Sequence, residues 1–281
     1  MTVAIALIGF GEAASTFAEA ARWGGSARGF DILEARRAAM SALGIAASRS
    51  NADAVSGAPL TLSLVTADMA LLAAREGAKS IALGALFFDM NSVAPGTKRE
   101  AAALIEAAGA RYVDVAVMAP VNPLKLGVPL LVSGPHAEAG RAALSELGFM
   151  SVRVIGDDIG RASTIKMLRS VMYKGIEALT AECLIACERA GVTDEVLGSF
   201  GNDWATGADY RLDRMLVHGV RRSAEMAESV KTLESLGVEP LMTRGTVARQ
   251  VELGELGVSP VPEGLGAKLL VLCHPGKGLV P

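Results

Sequence analysis

Apolar and polar positions along this chain follow two successive patterns. Up to about residue 156, short apolar runs alternate with stretches in which alanine and larger apolar residues recur at helical spacing. The first run, Val3-Ala4-Ile5-Ala6-Leu7-Ile8, leads straight into Gly9-Phe10-Gly11. It predicts a buried parallel strand, a tight turn and a helix that starts near Ala13. Further strands are expected at 26–31, 60–65, 86–89, 112–117 and 151–155. A strand at 129–134 opens with proline, so it is expected to be antiparallel or at an edge. Helices are expected from 33 onward, from the cap at 66–68 through about 76, and at 97–108 and 137–147. Strands separated by helices predict a doubly wound α/β domain.

After Gly156 the pattern becomes helical almost throughout. Residues 161–190 carry no proline and one glycine, which predicts a helix of about 45 Å. Gly191 is placed to end it. Later helices are expected at 193–200, 208–217, 222–236 and 241–253. The end, 259–281, reads as irregular apart from Leu269-Leu270-Val271-Leu272. Two domains follow: 1–158, a Rossmann-type doubly wound parallel sheet, and 159–281, an all-α domain that opens with the long helix.

Composition narrows the setting. Of 281 residues, 51% are hydrophobic, enough for a substantial core. A net charge of −3 argues against nucleic-acid binding, which needs a basic surface. Three cysteines form no disulfide framework and fit a reducing compartment. No Lys or Arg precedes Arg22, and the first apolar run is shorter than the about 20 residues that span a bilayer. The expectation is a soluble cytoplasmic protein without a membrane partner. Mean hydropathy is +0.38 while aromatics make up only 4%. Closely packed alanine-rich helices and a large subunit interface, as in a homodimer, account for both.

The glycine turn carries the first chemical signal. Gly9, Gly11 and Ala14 occupy the three places of Gly-x-Gly-x-x-Gly/Ala between a strand and a helix. Gly9 permits the turn, Gly11 lets backbone approach a pyrophosphate, and Ala14 lets the helix lie on the strand. The N–H groups around Phe10, Glu12 and Ala13 then face the phosphates. Asp31 stands 20 positions after Gly11, where a carboxylate accepts from ribose hydroxyls and favours NAD over NADP. Arg36 and Arg37 follow closely and are placed to reverse that preference. Asp31 also suits a helix N-cap, and the two roles are compatible. Ligands of such sheets bind beyond the carboxyl ends of the strands. Thr66, Asn91, Ser92 and Met118 fall at those ends; Thr66 and Asn91 are read as cofactor contacts.

Other constellations carry less. Cys183 and Cys187 are four apart and able to face His218, but a metal would lack a fourth ligand, and buried helix-packing cysteines are the expectation. No metal is expected. His136 is read as a surface residue, and no Gly-x-Ser-x-Gly elbow occurs.

Four segments in order resemble the β-hydroxyacid dehydrogenase superfamily, which includes 6-phosphogluconate and 3-hydroxyisobutyrate dehydrogenases. They are Gly9-Phe10-Gly11, Asp89 to Pro95, Asp114 through Gly127 to Gly134, and Gly160-x-Ala-x-x-x-Lys166. The nearest likeness is to the "phosphogluconate dehydrogenase-like" bacterial branch. The resemblance implies that the glycine turn binds the dinucleotide, that Ser92 contacts substrate and that Lys166 is the catalytic lysine. It also implies a helical second domain that completes the cleft and forms a dimer interface. Two departures stand out. The family's Ser-Gly-Gly loop, which holds a substrate carboxylate, aligns with Met118-Ala119-Pro120, and the asparagine one turn after the lysine is Ser170. The phosphate-binding residues of 6-phosphogluconate dehydrogenases have no match, so that substrate is not assigned.

The expected reaction is hydride transfer between NAD or NADP and a small, anionic hydroxy acid or related alcohol. It needs a base for the hydroxyl proton, which a lysine supplies when burial or nearby cations lower its pKa. Lys166 is the expected base, with Ser170 standing in for the asparagine. Lys174 and Arg169 are nearby cations, and Ser92, Met118, Ala119 and Lys174 are expected substrate contacts. The alternatives are an imine or ketone reductase on the same scaffold, and a dinucleotide-binding redox sensor without turnover.

Overall fold

A computed structural model describes residues 4–201 and 203–273. The chain divides into two compact units, Met1–Met167 and Leu168–Pro281.

The first unit runs β1 (Ile5–Ile8), α1 (Glu12–Ala21), β2 (Ala27–Phe30), α2 (Glu34–Ala42), β3 (Ala46–Ala47), α3 (Asn51–Val55) and β4 (Leu60–Ser63). It continues α4 (Ala70–Ala78), β5 (Leu86–Asp89), α5 (Pro95–Ala107), β6 (Arg111–Val117), β7 (Leu130–Ser133), α6 (Ala137–Glu146) and β8 (Val152–Val154). The eight strands form one sheet in the order β3-β2-β1-β4-β5-β6-β7-β8, and only the β6–β7 pair is antiparallel. This is the doubly wound α/β fold, with its order reversing between β1 and β4.

β1 explains its own unbroken apolar run. Ile5 and Leu7 pack into one core with Phe17, Met40, Leu62 and Phe88. Ala6 and Ile8 pack into another with Phe87, Ile105 and Tyr112. A strand covered on both faces has no polar side to show. The register then sets one edge: Ile8 lies opposite Phe30 and Ser63, Ser63 opposite Asp89, and Asp89 opposite Asp114. The chain therefore leaves β1, β2, β4 and β5 at one level, as a row of loops along the carboxyl edge.

Three points in this unit sharpen or correct expectation. Strand β7 is antiparallel to β6, one of the two expected settings, and lies inside the sheet, with β8 on its other side. Pro129 sits one residue before the ladder, which starts with Leu130 N–H donating to the Ser151 carbonyl at 2.7 Å, so its missing donor costs nothing. The short β3 and α3 carry too few residues to show a period. The second unit begins later than residue 158. The first turns of α7 (Arg161–Ala190), up to Met167, group with the sheet, where Ala162 packs against Ala116 and Leu131.

The second unit holds the rest of α7 with α8 (Thr193–Phe200), α9 (Trp204–Ser235), α10 (Leu241–Glu255) and α11 (Leu265–Cys273). Its core contains Ala181, Leu184, Leu212, Met215, Leu253 and Leu269. α9 is one helix where two were expected. Gly219 does not break it; Gly219 and Gly254 bring α9 and α10 together. A Cβ on Gly219 would lie 2.3 Å from the Gln250 carbonyl oxygen, and one on Gly254 would lie 2.4 Å from Val220 N. The expected irregular end contains the helix α11, and residues 274–281, with His274, lie outside the described residues. Among the described residues no helix is long and apolar enough to cross a membrane.

Candidate active site

The β1–α1 turn is built for a backbone approach. Gly9 adopts φ 83°, and a Cβ there would lie 2.5 Å from the Leu64 carbonyl oxygen, so glycine alone fits. Ala14 is fully buried where the helix meets the strand. No side chain caps the α1 N-terminus at Gly11, and a Cβ on Gly11 would meet nothing within 4 Å. Open space above uncapped helix N–H groups is what a phosphate needs, and the first-turn residues Glu12 and Ala13 carry those groups. The residues present therefore fit a dinucleotide.

Asp31 reaches this turn from the end of β2. Phe10 N–H donates to Asp31 Oδ2 at 2.7 Å, and Leu33 N–H donates to Asp31 Oδ1 at 2.9 Å. Leu33, not Asp31, is the N-cap of α2, so the N-cap reading is replaced by an Asx-type turn two residues earlier. The carboxylate keeps lone pairs for ribose hydroxyls. Arg37 donates to the carbonyls of Asp31 at 2.7 Å and Ile32 at 3.0 Å, while Arg36 is exposed.

Thr66 is exposed at the start of the single turn that precedes α4, and its hydroxyl caps nothing. Asn91 has a different job. Its Oδ1 accepts from Val65 N–H at 2.7 Å and its Nδ2 donates to Ser63 Oγ at 3.0 Å. The amide is spent joining the ends of β4 and β5 and is buried there. Ser92 follows it in the loop to α5, and Lys166 Nζ donates to Ser92 Oγ at 2.6 Å. Two half-buried residues 74 positions apart in sequence thus meet at the carboxyl edge.

Beneath that pair lies a charged cluster with no solvent access. Lys98 Nζ donates to the Asp89 carbonyl at 2.6 Å and to Asp89 Oδ1 at 3.0 Å, and stands 3.3 Å from Asp114 Oδ1. Tyr112 Oη donates to Asp89 Oδ2 at 2.7 Å. Burial, then the charges of Asp89 and Asp114, hold the Tyr112 phenol well above its ordinary range, so it remains a donor.

The chain is similar to known proteins. The family described as the NAD binding domain of 6-phosphogluconate dehydrogenase matches residues 4–155. The chain belongs to the β-hydroxyacid dehydrogenase superfamily. A domain family of unknown function matches 187–253, in the helical unit. A conserved hypothetical protein from Sinorhizobium meliloti is 36% identical over 98% of this chain and 97% of its own, with a TM-score of 0.72. A conserved protein of unknown function, described as structurally similar to 3-hydroxyacid dehydrogenases, is 31% identical over 89% of this chain and 96% of its own (TM-score 0.68). The 3-hydroxyisobutyrate dehydrogenase of Mycobacterium tuberculosis, 18% identical over 91% of this chain and 94% of its own, shares the fold with a TM-score of 0.72.

Set in this superfamily, the remaining expected residues fall as follows. Met118 N–H donates to the Pro129 carbonyl at 2.9 Å, and its side chain packs on Ala116, Leu131 and Ala162. Ala119 packs on the sheet core. Ser170 and Lys174 belong to the helical unit. Lys174 is buried there, with Nζ 2.6 Å from Glu225 Oε2. Burial lowers its pKa, and the Glu225 charge opposes that shift. Arg169 lies over the Tyr173 ring, 4.1 Å from its centroid. Lys174 is thus paired with a carboxylate, while Arg169 is exposed and keeps its N–H donors. Cys183 and Cys187 have their sulfurs 3.9 Å apart, and among the described residues no group of three or more His, Cys, Asp and Glu is arranged to hold a metal.

Sequence reasoning passed over Lys98, Tyr112 and Ser133. The signal was present: Asp89 ends Leu-Phe-Phe-Asp, and Asp114 interrupts Tyr-Val-Asp-Val-Ala-Val. A carboxylate inside a buried strand requires a partner. Lys98, about one turn into the helix after Asp89, was the nearest cation in sequence.

Proposed function

We propose that this protein is an NAD(P)-dependent oxidoreductase that transfers a hydride between nicotinamide and a small hydroxy acid or related alcohol. Lys166 is its general acid/base. The observation that supports this most is the Lys166–Ser92 pair at the carboxyl edge of a dinucleotide-binding sheet. Gly11, Glu12 and Ala13 hold the pyrophosphate through backbone, Phe10 N–H fixes Asp31 beside the turn, and Asp31 takes the ribose. When bound, the nicotinamide accepts or returns the hydride. Lys166 Nζ takes the hydroxyl proton as the alcohol carbon becomes a carbonyl and returns it in reverse. Ser92 Oγ orients both Nζ and the substrate hydroxyl. Ser170 follows one helical turn later as a second hydroxyl.

NAD is favoured over NADP. The Asp31 carboxylate repels a 2′-phosphate, and Arg37, the residue placed to welcome one, is tied to two carbonyls. The Met118-Ala119-Pro120 sequence, where the family's carboxylate loop stands, supports a second reading: a dinucleotide-binding sensor without turnover.

One experiment separates these. A panel of hydroxy acids, alcohols, imines and ketones is screened with NAD and NADP by absorbance of the reduced nicotinamide. Turnover with NAD is expected, and Lys166→Ala is expected to lose about 10²–10⁴-fold in rate, with NAD binding kept. Full turnover in that variant removes the lysine's role. NAD binding without any turnover favours the sensor.

A further inference from the structure

Lys166 and Ser92 ride on separate chain segments, and one buried carboxylate is tied to both. Asp114 Oδ2 accepts from the N–H of Gly160, the residue before α7, at 3.1 Å and from that of Ser163, in its first turn, at 3.2 Å. Ser133 Oγ donates to the same oxygen at 3.0 Å and accepts from Ala162 N–H at 3.0 Å. The N-terminus of the Lys166 helix is therefore capped from β6 and β7. The other Asp114 oxygen faces Lys98, whose Nζ also holds Asp89. Asp89 Oδ1 in turn accepts from the N–H of Asn91, the neighbour of Ser92, at 3.0 Å. Gly160 closes the arrangement: a Cβ there would lie 2.8 Å from Pro95 Cβ, so α7 starts against the first residue of α5.

We infer that Asp114, with Lys98 as its counter-ion and Ser133 as its hydrogen-bond partner, is the positioning residue that sets Lys166 against Ser92. Lys98, Asp114 and Ser133 are all 0% exposed, so they act through the helix and the loop and not on substrate. A buried ion cluster of this kind is a poor source of net stability, because desolvation offsets its attraction. A densely bonded one is a source of fixed geometry, and here Asp114 Oδ2 carries the hydrogen bonds while Oδ1 has only the Lys98 charge 3.3 Å away. Here it fixes the bearing of one helix start and one loop, the two supports of the site. Its catalytic meaning rests on the reaction proposed above, but its test does not use turnover.

The full-length protein is briefly acetylated with acetic anhydride. Labelling of Lys166 is measured by mass spectrometry against that of Lys79, whose side chain is 59% exposed. Asp114→Asn and Ser133→Ala are compared with wild type, after each is shown to unfold cooperatively. With the cluster loosened, Nζ leaves Ser92 Oγ, and the Lys166:Lys79 ratio is expected to rise about five-fold, the equivalent of about 1 kcal/mol. Ser133→Ala removes one hydroxyl and keeps the question open to measurement if Asp114→Asn does not fold. A ratio in Ser133→Ala equal to that of wild type overturns the inference, whatever Lys166→Ala does to turnover. Conversely, full turnover in Lys166→Ala removes the catalytic reading and leaves a raised ratio standing as evidence of positioning.

Discussion

Asp89 and Asp114 each stand in a strand whose neighbours are apolar, and their partners decide how they behave. Tyr112 is the simplest to test because its phenol stays protonated when folded. An unfolded tyrosine ionises near pH 10. Above that pH the unfolded chain binds fewer protons than the folded one, so stability falls as pH rises toward the folded pKa, by at most about 1.4 kcal/mol per unit. Tyr112→Phe lacks this loss. Near neutrality the variant is expected to be less stable by about 1 kcal/mol, the hydrogen bond to Asp89. Its deficit is then expected to shrink as urea unfolding is repeated at rising alkaline pH. A constant deficit across that range would show that the phenol ionises equally in both states. At this scale the sequence was partly readable. Gly9, Gly11 and Asp31 were read from position relative to a strand, and the roles of Ser92 and Lys166 from the family resemblance. Asn91 shared a strand end with Ser92, yet its amide went to Val65 and Ser63 because two strand ends needed joining. No spacing rule distinguishes a loop asparagine that faces ligand from one that faces backbone.

Among the elements, periodicity located nearly every helix and strand of ordinary length, including the long helix Arg161–Ala190 and the helix Thr193–Phe200. It left the place of β7 open between an antiparallel and an edge strand, and β7 is antiparallel but interior, because the missing donor of Pro129 falls outside the ladder. It erred in dividing 208–236 into two helices where α9 is continuous, and there the lack of a side chain at Gly219 lets α9 and α10 touch. That use makes a prediction. In Gly254→Ala the new Cβ would fall 2.4 Å from Val220 N, so the helices must part. The expected cost is about 1–3 kcal/mol, read as a fall in thermal midpoint of roughly 2–4 °C per kcal/mol in circular dichroism. An unchanged midpoint would mean the crossing relaxes freely.

For the molecule as a whole, the high hydropathy of the chain is only partly used in its cores. Along α7, Leu168, Met172, Ile176 and Leu179 recur at helical spacing and are 39%, 63%, 38% and 59% exposed. An apolar stripe of this length on a helix is a surface for another protein, and we propose a second copy of this chain. Light scattering is expected to return twice the 28.9 kDa chain mass. Met172→Glu is expected to shift it toward the single-chain value at equal concentration, and a wild-type monomer would dismiss the dimer. This stripe was legible in composition as surplus apolar residues, but not in location, because its spacing matches that of a buried helix face.

The double engagement of Asp31 has a consequence for redesign. Its carboxylate anchors Phe10 N–H, in addition to the ribose contact proposed for it. Exchanging it for a neutral or basic side chain, the obvious route to a phosphorylated dinucleotide, also unhooks the turn on which either coenzyme lies. A switch of coenzyme therefore has to be a paired edit, with a new acceptor supplied to that amide along with the new charge. Single substitutions at this position are expected to weaken both coenzymes before they favour one.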